Sequence, residues 1–403
     1  MPSRPADRAV TTKQLALYGG PPVRDTWLPY GHHTISEDDI AAVVEVLRSD
    51  WITQGPKVEE FECTLADYCG AKYGVAFSSG TAALHAACAA AGLGPGYEAI
   101  TTPLTFVATA NAVVYCGAKP VFADIREDTL NIDPEKIQRQ ITSRTKALIT
   151  VDFAGHPVDL DPVLFLARKH HLTVIEDACH ALGAEYKGRR LGGISHMTVF
   201  SFHPVKHVAT GEGGMVLTND RASAERLRRL RHHGINNFES EKPWRYNIAE
   251  LGYNYRLSDI HSALGISQLR RLDAQLARRN CIAKRYQKAF SEITALSLPA
   301  VDPDVTHAWH LFVVLLNLDK LAMDRDGILQ ALRAENIGAT LHYPLVYFHP
   351  FYRKQFGYGE GLCSVAETVS AKMFTLPLFP GMADDDVKDV IEAVSKVVGA
   401  YLI

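Results

Sequence analysis

The sequence predicts an α/β fold in which a mostly parallel sheet is covered by helices on both faces. The first observation is that, between residues 73 and 202, short apolar segments alternate with segments of helical character. Such alternation is typical of parallel strands joined by crossover helices. The second is that Ser79, Phe106, Asp177 and Lys206 fall at or just past the ends of predicted strands. Ligands of open α/β sheets bind at that edge.

Two helices are predicted before the alternating region. Ser36 is a natural N-cap because acidic residues follow it in the first turn. Apolar residues between positions 40 and 47 then recur at helical spacing. A second helix is predicted from residue 58, after the breaker formed by Gly55 and Pro56.

The alternating region itself contains six predicted strands and three predicted helices. The strands cover residues 73–77, 99–102, 120–123, 146–151, 172–176 and 199–202. The helices cover residues 82–91, 108–115 and 162–171. The basic run 226–231 is interpreted as the solvated face of a further helix.

A long charged helix over residues 269–290 is interpreted as the bridge to a smaller α+β domain. That domain is predicted to contain a strand at 311–315 and helices at 325–335 and 384–398. The predicted division of the chain is therefore an N-terminal lead-in (1–30), a large ligand-binding domain (31–270), and the bridging helix with the small domain (271–403).

Composition excludes several classes of protein. The chain has 403 residues, 47% of them hydrophobic and 22% charged, with a net charge of −3, so it has no electrostatic footprint for nucleic acid. Seven cysteines without a CxxC pair argue against a disulfide scaffold or a metal site. The first fourteen residues do not form a secretory signal, and no apolar run reaches the roughly 18 residues that span a bilayer. We expect a cytoplasmic protein that does not bind a membrane.

Lys206 and Asp177 carry the chemical hypothesis. Lys206 follows an apolar strand and precedes a loop with three glycines, and Asp177 ends the apolar run 172–176. An amine that forms a Schiff base, together with an acid that protonates a pyridine nitrogen, is the pair required by an enzyme that uses pyridoxal 5'-phosphate (PLP). Taken singly, Lys206 also fits a solvated loop and Asp177 also fits a helix cap.

A phosphate site is predicted where residues 78–82 join a strand to a helix. Backbone N–H groups at a helix N-terminus bind phosphate, and Gly80 and Thr81 stand at that position. Ser201, five residues before Lys206, is a further candidate donor to the phosphate. Ordinary turn chemistry at residues 78–82, and a strand serine at 201, are the alternatives.

Five further residues are candidates for ring or substrate contacts. Phe106 has the aromatic side chain needed to stack on a cofactor ring, although core packing explains it equally well. His180 is a candidate partner of the ring's phenolic oxygen, or a structural histidine. Arg256 is a candidate clamp for a carboxylate or phosphate. His342 and Tyr343 either line a substrate cleft or form a simple turn.

Together these motifs resemble the DegT/StrS family of sugar-nucleotide aminotransferases, which have fold type I among PLP enzymes. The matching stretches are residues 17–22, 78–82, 176–182, 201–214, 254–256, 263–265, 268–269 and 376–378. Within the family, residues 176–183 and 244–256 most resemble the aminotransferases of pseudaminic acid biosynthesis. Some relatives are dehydratases that carry histidine in place of the Schiff-base lysine, and Lys206 argues against that branch.

The resemblance implies a role for each site residue. Lys206 forms the Schiff base, Asp177 pairs with the pyridine nitrogen, and Phe106 stacks on the ring. The groups that hold the phosphate are Gly80, Thr81, Ser201 and, from the other subunit of a homodimer, Asn254. His180 stands where many relatives have glutamine, near the phenolic oxygen.

The implied reaction transfers an amino group from L-glutamate to C4 of a UDP-linked 4-keto-6-deoxy-N-acetylhexosamine. The product is a UDP-4-amino-4,6-dideoxy-N-acetyl sugar, of the β-L-altrosamine type. Two alternatives stay open at this point. One is an aminotransferase for another keto sugar linked to dTDP, GDP or UDP, which would make perosamine or 4-amino-arabinose. The other is a binding protein that uses PLP as a sensor without catalysis.

Overall fold

The computed structural model describes residues 12–236 and 245–403. Residues 1–11 of the predicted lead-in, and Trp244 of the stretch 244–256, lie outside the described residues. The helices are α1 (Glu37–Leu47), α2 (Pro56–Cys69), α3 (Gly80–Ala90), α4 (Ala108–Tyr115), α5 (Pro134–Gln140), α6 (Leu160–His170), α7 (Arg221–Arg231), α8 (Asp259–Leu269), α9 (Leu272–Phe290), α10 (Arg325–Ala334), α11 (Pro350–Phe356), α12 (Ser364–Lys372) and α13 (Asp384–Ala400). None of these described helices is long and apolar enough to cross a membrane.

The strands form one large sheet and three small ones. They are β1 (Tyr73–Phe77), β2 (Glu98–Thr101), β3 (Lys119–Phe122), β4 (Thr145–Val151), β5 (Thr173–Asp177), β6 (Glu185–Tyr186), β7 (Arg189–Arg190), β8 (Met197–Ser201), β9 (Gly214–Thr218), β10 (Ile235–Asn236), β11 (Asn247–Ile248), β12 (Leu296–Ser297), β13 (Val305–Thr306), β14 (Phe312–Leu316) and β15 (Met373–Leu376). The large sheet has the order β1-β9-β8-β5-β4-β2-β3. Neighbours from β8 to β3 are parallel, and β9 is antiparallel to both β8 and β1.

Helices cover both faces of the large sheet, as predicted. One apolar cluster joins the sheet to α2, α6 and α8, and another joins it to α3, α4 and α7. Successive strand residues point to opposite faces, so Val174 belongs to the first cluster and Ile175 to the second. Burial on both sides explains why these strands are continuous apolar runs in the sequence. The predicted α/β class is confirmed.

Most predicted boundaries in the alternating region are within two residues of the observed ones. Helix α3 begins at Gly80, two residues before the predicted start, because the Ser79 hydroxyl accepts a hydrogen bond from the Ala82 N–H at 3.1 Å. Helix α1 begins directly after Ser36, as predicted. Asp39 completes a capping box there, because its carboxylate accepts the Ser36 N–H at 2.8 Å.

The prediction of one helix from residue 269 was wrong at its start. Leu269 is the last residue of α8, and α9 begins at Leu272. Arg271 leaves helical geometry (φ −103°, ψ 0°), and its guanidinium pairs with the fully buried carboxylate of Asp39. This long-range ion pair explains the break between the two helices. No local sequence pattern predicts such a pair.

The interpretation of residues 226–231 as a solvated face was also wrong. Arg226 and Arg229 both pair with Glu250, at 3.0 and 3.1 Å. Arg231 pairs with the buried carboxylate of Glu62 and also donates to the Ala76 carbonyl. Arg226, Arg229 and Arg231 therefore bind α7 to neighbouring segments, whereas Arg228 is exposed to solvent as predicted.

The small domain is built on the antiparallel sheet β12-β14-β15, with α9, α10 and α13 packed on it. The chain from Leu15 to Leu28 packs into the same apolar core. The fully buried carboxylate of Glu335 accepts N–H groups of Ala16 and Val23, each at 2.9 Å, and pairs with Lys396 at 2.8 Å. The three-part division of the chain remains a prediction, and this packing supports counting residues 12–30 with the small domain.

Two acidic side chains of the central part of the sheet are fully buried. Glu176 of β5 accepts a hydrogen bond from the Thr198 hydroxyl at 2.7 Å, and Asp152, just after β4, accepts the Val158 N–H at 2.9 Å. The second oxygen of each carboxyl group has no hydrogen-bond partner. Burial raises the pKa of Glu176 to about 7, and burial together with the nearby Glu176 raises the pKa of Asp152 well above its ordinary value.

We expect Glu176 to make stability depend on pH. A carboxyl group whose pKa is higher in the folded state binds more protons when folded, so its contribution to stability falls as pH rises. For Glu176 that contribution is complete below the unfolded pKa of 4.5 and is lost as pH rises to about 7. The Glu176→Gln variant, which is neutral at every pH, should show a flatter dependence of Tm on pH across this window by calorimetry.

The matched control for this prediction is Glu292→Gln, which alters an exposed glutamate and should leave the slope unchanged. A Glu176→Gln variant with the wild-type slope would show that Glu176 is not the titrating group.

Candidate active site

A cavity of about 340 Å³ opens at the carboxyl ends of the central strands. Nine of the eleven predicted site residues line it: Gly80, Thr81, Phe106, Asp177, His180, Ser201, Lys206, His342 and Tyr343. They come from the large domain and from the loop 340–346 of the small domain. Among the described residues, no group of three or more His, Cys, Asp or Glu side chains is arranged to hold a metal ion.

One end of the cavity is shaped to hold a phosphate group. It is formed by the N-terminus of α3, an eleven-residue helix whose first turn includes Gly80 and Thr81. A Cβ atom on Gly80 would lie 2.7 Å from the Cβ of Ser201, so only glycine fits against the serine there. Backbone N–H groups, a helix dipole and a nearby hydroxyl group are together suited to bind a dianion.

Asp177 lies deeper in the same cavity, at the end of β5. Its Oδ2 accepts a hydrogen bond from the Thr109 hydroxyl at 2.7 Å, and its Oδ1 accepts the Cys179 N–H at 3.2 Å. The side chain is 6% exposed. A carboxylate held in this way is oriented by two donors and is suited to pair with a protonated ring nitrogen.

Lys206 follows β8, and its amine faces the cavity. Its Nζ lies 3.3 Å from His310 Nε2. Burial lowers the pKa of Lys206 to about 8, even though Cys179 and Asp177 act in the opposite direction. A lysine with this pKa is about one-tenth neutral at pH 7, far more than an ordinary lysine, and the neutral amine is the nucleophile.

Histidines surround the amine without adding charge. The ring of His180 lies 4.5 Å from that of His310, and its Nε2 lies 3.1 Å from the Tyr343 hydroxyl. Burial, followed by the nearby Lys206 amine, lowers the pKa of both His180 and His310 well below the ordinary histidine value. The same two causes lower the pKa of His342 to about 3. The imidazoles around Lys206 are therefore neutral at physiological pH.

Phe106 is 54% exposed, and its ring lies 5.7 Å from that of Tyr343. An aromatic ring that packs in the core would be covered on both faces, so this exposure favours the ligand-stacking interpretation over core packing. Tyr343 contacts both Phe106 and His180 and so joins the small domain to the large one across the cavity.

Asn254 and Arg256 are the two predicted site residues that do not line the cavity of their own chain. Asn254 forms a β-bridge with His232, and Arg256 contacts the Nδ1 of His232 at 2.9 Å. The Tyr255 carbonyl between them accepts the N–H of Ser78, at the end of β1. Both residues therefore lie beside the phosphate end of the site but outside its wall.

Several residues of the site were not predicted from the sequence, and three of them contact predicted ones. Tyr30, from the N-terminal segment, lines the cavity with its ring 4.8 Å from that of His342. His310 precedes β14 and lies beside Lys206, and Thr109 lies in α4 behind Asp177. Tyr30 and His310 come from elements remote in the chain from the predicted motifs, and none of the three carries a local motif. Only the position of His310 beside a strand end was a usable signal.

A model of the DegT/DnrJ/EryC1/StrS aminotransferase family matches residues 33–395. The chain belongs to this family. The spore coat polysaccharide biosynthesis protein SpsC of Bacillus subtilis (strain 168) is 46% identical over 381 residues, which cover 93% of this chain and 98% of SpsC.

Solved structures of the family have the same architecture. PseC of Helicobacter pylori, an aminotransferase involved in the biosynthesis of pseudoaminic acid, superposes with a TM-score of 0.88 at 32% identity, covering 93% of this chain and 100% of PseC. Spr1654 of Streptococcus pneumoniae, in its PLP form, superposes with a TM-score of 0.88 at 30% identity, covering 94% of this chain and 100% of Spr1654. Spr1654 has also been solved in a PMP form.

Membership of this family identifies the chain as a sugar aminotransferase of fold type I that uses pyridoxal phosphate. The cavity fits this cofactor, because a phosphate site, a carboxylate and an amine line the same continuous cavity. The alternative of a non-catalytic PLP sensor is set aside, since the family and its solved relatives are aminotransferases.

We expect the reactivity of Lys206 in the cofactor-free protein to report its lowered pKa. Because the amine is charged below its pKa and nucleophilic above it, labelling by an amine-directed reagent should be half-maximal near pH 8, where the pKa of Lys206 lies. Mass spectrometry of labelled peptides across a pH series measures this. Lys169, which is exposed, serves as the internal control for reagent activity. A midpoint near pH 10 or above would contradict the burial of the amine.

Proposed function

We propose that this chain transfers the amino group of L-glutamate to C4 of a UDP-linked 4-keto-6-deoxy-N-acetylhexosamine. The product would be a UDP-4-amino-4,6-dideoxy-N-acetyl sugar of the β-L-altrosamine type, on the route to pseudaminic acid. The observation that carries this proposal is the whole-length similarity to PseC, with a TM-score of 0.88. His180 in the cavity, in a stretch that resembles the same subgroup, supports it.

Lys206 is the general acid and base that transfers protons in this proposal. When bound, pyridoxal phosphate supplies an aldehyde that condenses with amines and a ring that accepts electrons from the substrate carbon. Lys206 would hold the cofactor until L-glutamate displaces its amine. The freed Nζ would then take the proton from the α-carbon of glutamate, and in the second half-reaction deliver a proton to C4 of the sugar. Its lowered pKa suits both directions of transfer.

The other cavity residues would hold and orient the reactants. Asp177 would keep a proton on the ring nitrogen, while the N-terminus of α3 and Ser201 would bind the phosphate. Phe106 is half exposed and lines the cavity, so the ring of the cofactor would stack on it. His180 would contact the phenolic oxygen as a neutral donor, since burial and Lys206 keep its pKa low.

The sugar nucleotide would enter on the side of the small domain. His342 and Tyr343 lie on that side of the cavity, on the loop 340–346 of the small domain, and are proposed to contact the sugar nucleotide. Arg256 lies outside the cavity of its own chain and is proposed to bind an anionic group in the site of a second subunit.

A second candidate is an aminotransferase for a different nucleotide-linked keto sugar, linked to UDP, dTDP or GDP. The observation that favours it is the 46% identity to SpsC, whose name refers to a spore coat polysaccharide. The two candidates share every cofactor-binding residue and differ only in the acceptor.

Two measurements test the function. The first is the absorption spectrum of PLP-loaded protein before and after addition of L-glutamate, with Lys206→Ala as the comparison. We expect the visible band of wild-type protein to be lost and the pyridoxamine band to grow, with no such change in Lys206→Ala, because the variant lacks the amine that moves the proton. A Lys206→Ala variant with wild-type turnover would refute the role of the lysine.

The second measurement supplies keto-sugar nucleotides to the amine-loaded protein, one at a time and in competition. Return of the visible band should be fastest with the UDP-4-keto-6-deoxy-N-acetylhexosamine. A faster return with a dTDP- or GDP-linked sugar would select the second candidate.

We also propose that the active enzyme is a homodimer, with Asn254 of each subunit binding the phosphate in the site of the other. Asn254 does not reach the cavity of its own chain, which supports this arrangement. Exposed apolar side chains on and after α1 support a covered surface: Ile40, Leu47, Trp51 and Ile52, each about half exposed. We further propose a cytoplasmic location, where the seven free cysteines would stay reduced.

Complementation between two inactive variants tests the shared site. In a mixed dimer of Lys206→Ala with Asn254→Ala, one site would carry both defects and the other would be intact. Co-expression with random pairing should therefore restore about a quarter of wild-type activity. If each site belonged to one chain, the mixture would stay at the average of the two variants.

A further inference from the structure

Two threonine hydroxyl groups lie in a row behind the carboxylate of Asp177. The Thr109 hydroxyl lies 2.7 Å from Asp177 Oδ2, and the Thr105 hydroxyl lies 2.8 Å from that of Thr109. All three side chains are almost fully buried, with 0% exposure at Thr109, 2% at Thr105 and 6% at Asp177. The row therefore has little access to solvent, with Thr105 in the wall of the cavity and Thr109 behind that wall.

The direction of both hydrogen bonds follows from the chemistry of the groups. An ionised carboxylate only accepts, so Thr109 must donate its single hydroxyl proton to Asp177. Thr109 can then only accept from Thr105, which makes Thr105 the donor of the second bond. Hydrogen bonds aligned in one direction polarise one another, so the bond from Thr109 to Asp177 is strengthened by the bond that Thr109 accepts from Thr105.

The row also fixes the orientation of the carboxylate. With Thr109 on Oδ2 and the Cys179 N–H on Oδ1, each oxygen has one donor from the protein, and rotation of the group would break both bonds. Thr109 belongs to α4 and Cys179 to the segment after β5, so two independent elements hold the same carboxylate.

We propose that Thr109, supported by Thr105, is a positioning residue that keeps the carboxylate of Asp177 directed at the ring nitrogen of the bound cofactor. The inference rests on the proposed pairing of Asp177 with that nitrogen. Thr109 touches neither cofactor nor substrate in this role, and it acts only through Asp177.

The test is a titration of cofactor-free protein with two ligands, followed by absorbance. One ligand is PLP, and the other is its analogue with a CH group in place of the ring nitrogen. Thr109→Val keeps the shape of the side chain and removes the donor, and we expect it to weaken PLP binding about tenfold. For the analogue, wild type and Thr109→Val should agree within about twofold, because the analogue has no ring nitrogen for Asp177 to hold.

Two further variants separate the hydrogen bond from packing. Thr109→Ser restores the hydroxyl and should return PLP affinity to nearly the wild-type value. Thr150→Val is the matched control, because Thr150 is equally buried but its hydroxyl has no hydrogen-bond partner, so its removal should change neither titration. The thermal midpoint of each cofactor-free variant confirms that it is folded.

Three outcomes would overturn the inference. Unchanged PLP affinity in Thr109→Val would show that Asp177 needs no support from the threonine. An equal loss for both ligands would show that Thr109 only maintains the shape of the cavity. Failure of wild-type protein to bind PLP would refute the proposed function itself, and this result is distinct from the other two.

Discussion

The parallel pairing of β5 with β8 is the constraint on which the site depends. Asp177, the last residue of β5, is in register with Val199 of β8, and Lys206 follows β8 after a short loop. Because the two strands are neighbours and run the same way, their carboxyl ends deliver an acid and an amine to one cavity. The N-terminus of α3 reaches the same edge, because α3 follows β1 and β1 runs in the same direction as β8. The two strands are separated by β9, which is antiparallel to both. A strand order in which β5 and β8 were not neighbours would separate the acid from the amine.

The cavity at the ends of these strands is lined by polar groups but carries few charges. Neutral histidines and tyrosine hydroxyls surround Lys206, and threonine hydroxyls support Asp177. Low solvent access is the common cause, because it lowers the pKa of the lysine and of the histidines together. One environment thus supplies a nucleophilic amine and prevents nearby imidazoles from competing with it as cations.

The sequence predicted the parts of the molecule that local patterns encode. Strand β1 and helix α4 were predicted to the residue, and nine site residues that meet in one cavity were identified by their positions at strand ends and by family motifs. The parts that failed depend on contacts distant in the chain. The break at Arg271 follows from its pairing with Asp39, and the arginines of α7 find their partners in Glu62 and Glu250. Tyr30 reaches the site because distant residues hold the chain around it, among them Glu335 on the preceding segment and the Leu378 N–H on the Tyr30 carbonyl. No periodicity reports such pairings.

The attachment of the N-terminal segment to Glu335 has a consequence for the order in which the protein is assembled during synthesis. Residues 15–28 leave the ribosome long before their binding partners, Glu335 and the core of α10 and α13. Tyr30 therefore takes its place in the cavity only after these later elements have been made. The large sheet can fold early, whereas a finished cofactor cavity marks a chain whose synthesis has passed α13.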